Sequence, residues 1–330
     1  MDIRQMKYFK TIVEEGTISK AAKVLHMAQP PCNFKCEYCY QVSGGKRQTG
    51  LLKKEHIASL ITYLDRTKLQ FYVTLAGGEP FIYPYLDTIS DALISRGHYF
   101  GIITNFSASE DTLKNFFLKT NGFLEYLSVS VHLSQWENID DFFHKLDRII
   151  NFIENNQIKV RIVSTCVLTS ENAEKVKRLY IKMKECGIPF EVQRVYYNGK
   201  YQLYSPEIED YFNDKGLDVL SENTDNAKFY GNLCYAGCRF LYIESNGDVF
   251  RCYTQQENEK LYKLGSLDKP EKIPVLNKAY PCLAHENCVC FKHFKRQHFI
   301  TDQKASRKEL NEALNFNQTI AKRISNYFKH

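Results

Sequence analysis

Between about Leu51 and Tyr197, apolar positions recur at a period of two and then at three to four, in regular alternation. Strand-like runs cover Leu69–Ala76, His98–Thr104, Leu124–His132, Lys159–Val167 and Pro189–Tyr196. Helical patterns lie between them near residues 53–66, 84–96, 109–120, 138–155 and 171–186. The last helix runs into Gly187, the residue type that closes a helix in the left-handed conformation. This alternation predicts an α/β fold of right-handed βαβ units around a parallel sheet or barrel, with chemistry at the C-terminal strand ends. Residues 198–230 are polar and turn-rich and read as a linker. Beyond them, short strand-like pieces at Arg239–Glu244 and Asp248–Cys252 lie among cysteines, and residues 305–328 read as a terminal helix. The sequence carries no internal repeat and no low-complexity segment.

The composition, 44% hydrophobic and 25% charged over 330 residues, is that of an ordinary globular chain. No apolar run approaches the roughly 18 residues of a membrane span. Met1–Lys7 also lacks the apolar core of a signal peptide, so a cytoplasmic protein with no membrane partner is expected. Residues 291–330 hold nine Lys/Arg against three acids, while the other 290 residues carry 35 of each sign. That distribution predicts a basic, solvated helical tail rather than a general nucleic-acid surface.

Nine of the eleven cysteines fall in two clusters, at 32–39 and 234–290. In a cytoplasmic chain such clusters read as metal or iron–sulfur ligands rather than disulfides. Cys166 and Cys186 stand apart and read as buried small hydrophobes. Cys32, Cys36 and Cys39 form a CX3CX2C motif. Three thiolates on one loop can hold three irons of a [4Fe–4S] cube and leave the fourth open, as a catalytic site requires. A zinc loop is the alternative, but zinc modules pair two such halves, and no fourth ligand lies nearby. The strand Leu69–Ala76 ends in Gly77-Gly78-Glu79-Pro80, where glycines admit a ligand to the backbone and a carboxylate can accept from an ammonium group.

With both motifs in this order, the chain resembles the radical S-adenosylmethionine (SAM) superfamily over residues 32–196. The resemblance implies a partial (β/α)6 TIM-like barrel in which Cys32, Cys36 and Cys39 bind the cluster. SAM would chelate the open iron by its amino and carboxylate groups. Tyr38 would pack near the adenine, and Gly77, Gly78, Glu79 and Pro80 would hold the methionine ammonium. One electron, from a flavodoxin or ferredoxin, would cleave SAM to a 5′-deoxyadenosyl radical that takes hydrogen from the substrate. By period-two reading, Ser128, Ser130 and His132 share a polar strand face, which makes Ser130 and His132 SAM or substrate candidates. Thr104 and Asn105 end the third strand in a comparable place, and Arg161 and Thr165 share a face of the fifth. Gln193 and Arg194 point opposite ways, so only one can face inward.

The later order Cys234-X3-Cys238-X13-Cys252-X29-Cys282-X5-Cys288-X-Cys290, with Gly247 five residues before Cys252, resembles the SPASM/twitch extension of many radical SAM enzymes. Ala279 stands where the family's late group begins, and the last spacing is CXC. The resemblance implies one auxiliary [4Fe–4S] cluster in this small cysteine-rich extension. By position its ligands would be Cys234, Cys238, Cys252 and Cys290, and the spacing leaves open which of Cys282, Cys288 and Cys290 serve. A structural zinc site is the alternative. Enzymes with such extensions mostly modify peptides or proteins, so a peptide or protein substrate is expected. Tyr253 follows Cys252 where sulfatase-maturing relatives place an acid, and the expectation is instead carbon-centred peptide modification, such as a thioether or carbon–carbon crosslink.

Residues 1–31 resemble the start of LysR-type transcriptional regulators, a short helical segment with one helix over Ile3–Glu15 and a second to Leu25. The cysteine loop begins where that family's recognition helix would follow, so DNA reading is not expected. The same stretch must also supply a first barrel strand, and only Lys23–Ala28 is available. Helix and strand exclude each other there. Recruitment as a strand is the expectation, because Val24-Leu25-His26-Met27 can alternate. The implied organisation is a LysR-like fragment at 1–31, a barrel at 32–197, a linker at 198–230, the auxiliary region at 231–294 and a basic tail at 295–330.

Overall fold

The computed structural model describes residues 23–28, 32–34, 36, 38–39, 52–136, 138–197, 200–213, 230–252, 263–283 and 300–312. In chain order, β1 (Lys23–Ala28) is followed by α1 (Lys54–Thr67), β2 (Phe71–Ala76), α2 (Leu86–Ile94) and β3 (Tyr99–Thr104). Next come α3 (Glu110–Thr120), β4 (Leu124–Val131), α4 (Ile139–Asn155), β5 (Arg161–Leu168), α5 (Ala173–Glu185) and β6 (Phe190–Arg194). The chain continues through β7 (Tyr196–Tyr197), β8 (Lys200–Tyr201), α6 (Pro206–Asn213), β9 (Asn232–Cys234), β10 (Phe240–Ile243) and β11 (Asp248–Phe250). It ends with β12 (Lys263–Ser266), β13 (Tyr280–Pro281) and β14 (Ile300–Lys304). Two helices start at side-chain caps. Ser109 caps α3 by accepting from Thr112 N at 3.1 Å, and Asn138 caps α4 by accepting from Asp140 N at 3.0 Å. Gly187, at φ +68°, follows the end of α5.

The chain divides into two compact units. One contains Met1–Ala28, Leu51–Val73 and Ser221–His330; the other contains Gln29–Gly50 and Thr74–Leu220, so β2 is divided after Val73. In the first unit, β1 runs parallel to β10, with Val24 opposite Phe240 and Met27 opposite Ile243. Antiparallel β11 and β12 continue from β10, and β9 pairs antiparallel with β13 and β14. In the second unit the strand order is β2–β3–β4–β5–β6, with parallel pairing from β3 to β6 and a helix between successive strands. This is the α/β partial barrel that the alternation predicts. Its apolar interior includes Phe100, Ile102, Phe117, Leu127, Val129 and Val192, all fully buried. Phe142, Leu146 and Ile149 of α4 are buried at helical spacing and add to it.

One reading changes, at Pro206–Asn213. Lys23–Ala28 is a strand, so a second helix reaching Leu25 is excluded, while residues 1–22 lie outside the described residues. Pro206–Asn213 is a helix inside the stretch read as polar and turn-rich. Residues 307–312 are helical, as expected for the tail, and the rest of the tail lies outside the described residues.

Candidate active site

Every contact at the cysteine loop described here lies within the second unit. Cys32, Cys36 and Cys39 are half-buried, and Cys39 N donates to Cys36 O at 3.0 Å to close the turn between them. Burial pushes the Cys32 thiol up, partly offset by a backbone hydrogen bond at Phe34, and the nearby charges of Glu79 and Cys39 push the same way as burial. His132, just past the end of β4, faces the loop. Its Nδ1 stands 3.2 Å from Cys36 Sγ and 3.2 Å from the Tyr38 hydroxyl. The Tyr38 and His132 rings stack at 6.0 Å and 14°, and Phe34 meets His132 edge-on at 5.8 Å.

The turn after β2 requires its glycines: Gly77 and Gly78 sit at φ +85° and +61°, where a side chain is strained. Glu79 is fully buried. Its Oε1 accepts from Thr104 Oγ1 at 2.7 Å and Phe81 N at 3.1 Å, and its Oε2 accepts from Asn105 N at 2.6 Å. Burial holds this carboxyl above the usual carboxylate range despite those three donors. Pro80 opens the short 3-10 turn that follows. Asn105 then joins this turn to the cysteine loop, because its Nδ2 donates to Asn33 Oδ1 at 2.8 Å. Cys32 Sγ lies 4.0 Å from the same nitrogen.

Across β4–β6 the parallel register places Ser130 beside Thr165 and Glu191, and Val167 beside Gln193. Gln193 therefore shares the face of Ser130 and Thr165. Arg194 lies on the other face beside Leu168 and makes a two-pronged ion pair with Glu209 of α6. Ser128 Oγ, Thr165 Oγ1 and both amide atoms of Gln193 are buried without a hydrogen-bond partner among the described residues. Such a polar row in a buried strand face is what a bound ligand or ordered water satisfies. Arg161 is not part of this group. It opens β5 beside Tyr126, at the opposite strand end from His132.

Several supporting residues escape sequence reading. Asn33 also donates to Ser107 Oγ at 2.9 Å. Phe106 is buried at φ +61°, an uncommon conformation for a bulky residue. Its carbonyl accepts from Lys145 Nζ at 2.7 Å, and Lys145 also reaches the carbonyl of Ala108. Burial holds the Lys145 ammonium below its usual range, and the charges of Glu110 and then Glu79 oppose this. Lys145 thus clamps the bend that presents Asn105. Only the tertiary fold brings a lysine of α4 to that bend.

The second cysteine set lies in the first unit. Cys234 ends β9 and Cys282 follows β13; Tyr280 pairs with Cys234, and Cys282 N donates to Asn232 O at 2.8 Å. Cys238 sits in the turn before β10, and Cys252 follows β11. Cys288, Cys290 and Tyr253 lie outside the described residues. Cys166 is buried as expected, but Cys186 is exposed, because it caps the C-terminus of α5 and projects from the helix end.

Among the described residues, no three His, Cys, Asp or Glu side chains are grouped so as to hold a single metal ion. A cube differs from such an ion in taking each thiolate on a separate iron, and one loop bearing three half-buried thiols, tied through Asn105 to a turn in which Gly77 and Gly78 lack Cβ atoms, suits it. Also among the described residues, no helix is long and apolar enough to cross a membrane.

A partial barrel whose strand ends carry a three-cysteine loop against a Gly-Gly-Glu turn defines a class of iron–sulfur protein. Residues 28–183 match the Radical SAM superfamily. Residues 3–33 match the bacterial regulatory helix-turn-helix proteins of the lysR family. The N-terminal segment is 68% identical over 31 residues to the HTH-type transcriptional regulator BsdA of Bacillus subtilis (strain 168), spanning 9% of this chain and 11% of that protein. Among solved structures, SuiB of Streptococcus suis bound to S-adenosylmethionine is similar at 17% identity and a TM-score of 0.51, over 79% of this chain and 67% of that one. The coverage of another SuiB structure is 64%. Native anSMEcpe with bound AdoMet and Cp18Cys peptide is similar at 17% identity and a TM-score of 0.47, over 90% of this chain and 99% of that one.

Proposed function

We propose that the protein is a cytoplasmic radical SAM enzyme that takes a hydrogen atom from a peptide or protein substrate, with a flavodoxin or ferredoxin as reductant. The observation that carries this reading is the continuous hydrogen-bonded link from Glu79 through Asn105 to Asn33 in the cysteine loop. It ties the two motifs, 45 or so residues apart in sequence, into one rigid cradle at the strand ends. When bound at Cys32, Cys36 and Cys39, a [4Fe–4S] cluster with SAM on its open iron supplies the one-electron cleavage that gives a 5′-deoxyadenosyl radical.

The chain's own residues hold and shield. His132 fixes Cys36 and Tyr38 through one ring nitrogen. Gly77, Gly78 and Pro80 offer backbone to an ammonium group. Glu79 keeps that turn in shape, with one acceptor position on Oε2 beyond its bond to Asn105 N. Ser130, Thr104 and Gln193 complete the lining, and Gln193 presents an amide donor and acceptor in a dry setting where each counts for more than in water. Cys234, Cys238, Cys252 and one or more of Cys282, Cys288 and Cys290 hold an auxiliary cluster in this reading. SuiB, a fold relative by its TM-score of 0.51, has also been solved bound to precursor peptide SuiA. A peptide is therefore the substrate class to test first. Residues 23–28 serve the fold as a strand, which supports the enzyme reading over a DNA-binding one.

Deuterium transfer tests the substrate class. Short peptides encoded beside the gene, deuterated on carbon, are incubated with reconstituted enzyme, SAM and dithionite. Deuterium in the 5′-deoxyadenosine, read by mass spectrometry, is the expected result. Unlabelled 5′-deoxyadenosine with every such peptide would count against a peptide substrate.

A further inference from the structure

Arg251 stands between β11 and Cys252 and is buried, at 3% exposure. Its Nη2 donates to the carbonyls of Tyr280 and Pro281, at 3.4 and 3.2 Å, the two residues before Cys282. On its other side it meets the turn that carries Cys238. Gly237 in that turn has φ +89°, and a Cβ there would stand 2.8 Å from Arg251 Cβ, so the close approach depends on glycine. Tyr280 is in turn the strand partner of Cys234. The four described cysteines of this region thus lie on four separate segments, and Arg251 is joined to each: it precedes Cys252, packs against the glycine before Cys238, and bonds to the strand partner of Cys234 and to the residue before Cys282.

We propose that Arg251 is the positioning residue of the second cysteine site and that its buried charge sets the reduction potential of a cluster held there. This rests on reading that site as an auxiliary [4Fe–4S] site. A guanidinium stays protonated under all ordinary conditions, and burial removes the water that would screen it. A cube with four thiolates is anionic, and its negative charge grows when one electron enters; no bond forms or breaks in that step. A nearby cation therefore favours the reduced form and raises the potential, one of the levers proteins use on such clusters.

The test uses the full chain with Cys32, Cys36 and Cys39 all changed to Ala, so that bound iron reports the second site. This parent, and the parent carrying Arg251→Lys or Arg251→Gln, are reconstituted anaerobically and assayed for iron and sulfide. Each is then titrated with dithionite under EPR. The parent is expected to hold about four irons. Arg251→Lys should keep the parent's midpoint, and Arg251→Gln should be at least tenfold harder to reduce, about 59 mV lower for one electron. Arg251→Gln with full iron and the parent's midpoint overturns the proposal. If Arg251→Gln takes up no iron, Arg251→Lys decides. The parent's midpoint in Arg251→Lys supports the role of charge, and a tenfold shift or lost iron overturns it. A parent without iron overturns the auxiliary-site reading itself, and does so before Arg251 is touched.

Discussion

At the scale of the residue, Glu79 is the group on which the site's order depends. A buried carboxylate is costly unless donors surround it, and here Thr104, Asn105 and Phe81 supply them. Thr104→Val keeps the shape but removes one donor to Glu79 and the acceptor of Phe106 N. The expected result is a loss of roughly 1.5–3 kcal/mol in urea unfolding, the usual worth of a hydrogen bond to a charged group. An unchanged midpoint would show that Thr104 does not hold the carboxylate. Glu125 at the start of β4 makes a second prediction. Burial pushes its carboxyl up to about 7 from an ordinary value of 4.5. The folded chain then keeps a proton that the unfolded chain has released, so stability should fall as pH rises from about 4.5 to about 7. Glu125→Gln should flatten that slope in unfolding curves across the range. The cysteines and Gly77–Glu79 were legible from sequence because short motifs carry their spacing. Lys145, Phe106 and Asn33 were not, because each acts through a contact that only the tertiary fold creates.

At the scale of the element, alternating periods foretold α1–α5 and β2–β6 to within a few residues, since each strand and helix buries a distinct face. The segment Lys23–Ala28 was ambiguous because six residues can satisfy either period; its parallel pairing with β10, supplied by a region more than 200 residues away, settles it as β1. The helix α6 was missed although a signal exists. Pro206 suits a first helical position, and Ile208, Tyr211 and Phe212 fall at helical spacing. A polar surround hid it. Its anchor to β6 is the ion pair of Glu209 with Arg194, whose side chain is 3% exposed. Glu209→Gln leaves that guanidinium buried without its anion and should cost about 3 kcal/mol. Pairing it with Arg194→Met should recover part of the loss in the same urea assay. Additive losses would mean that the two side chains act independently.

At the scale of the whole molecule, an N-terminal segment that matches a helix-turn-helix family runs into a segment that matches the Radical SAM superfamily, and the strand Lys23–Ala28 lies at the join. The proposed function requires a cysteine loop competent for chemistry in a chain whose residues 23–28 form a strand. The most direct measurement is 5′-deoxyadenosine release from anaerobically reconstituted protein given SAM and dithionite, beside a Cys36→Ala control. The account predicts release that depends on Cys36, at a level at least tenfold above the variant. Full iron and sulfide loading with no release from the unaltered chain would contradict it, because the clusters would then form in a barrel that cannot bind or cleave SAM.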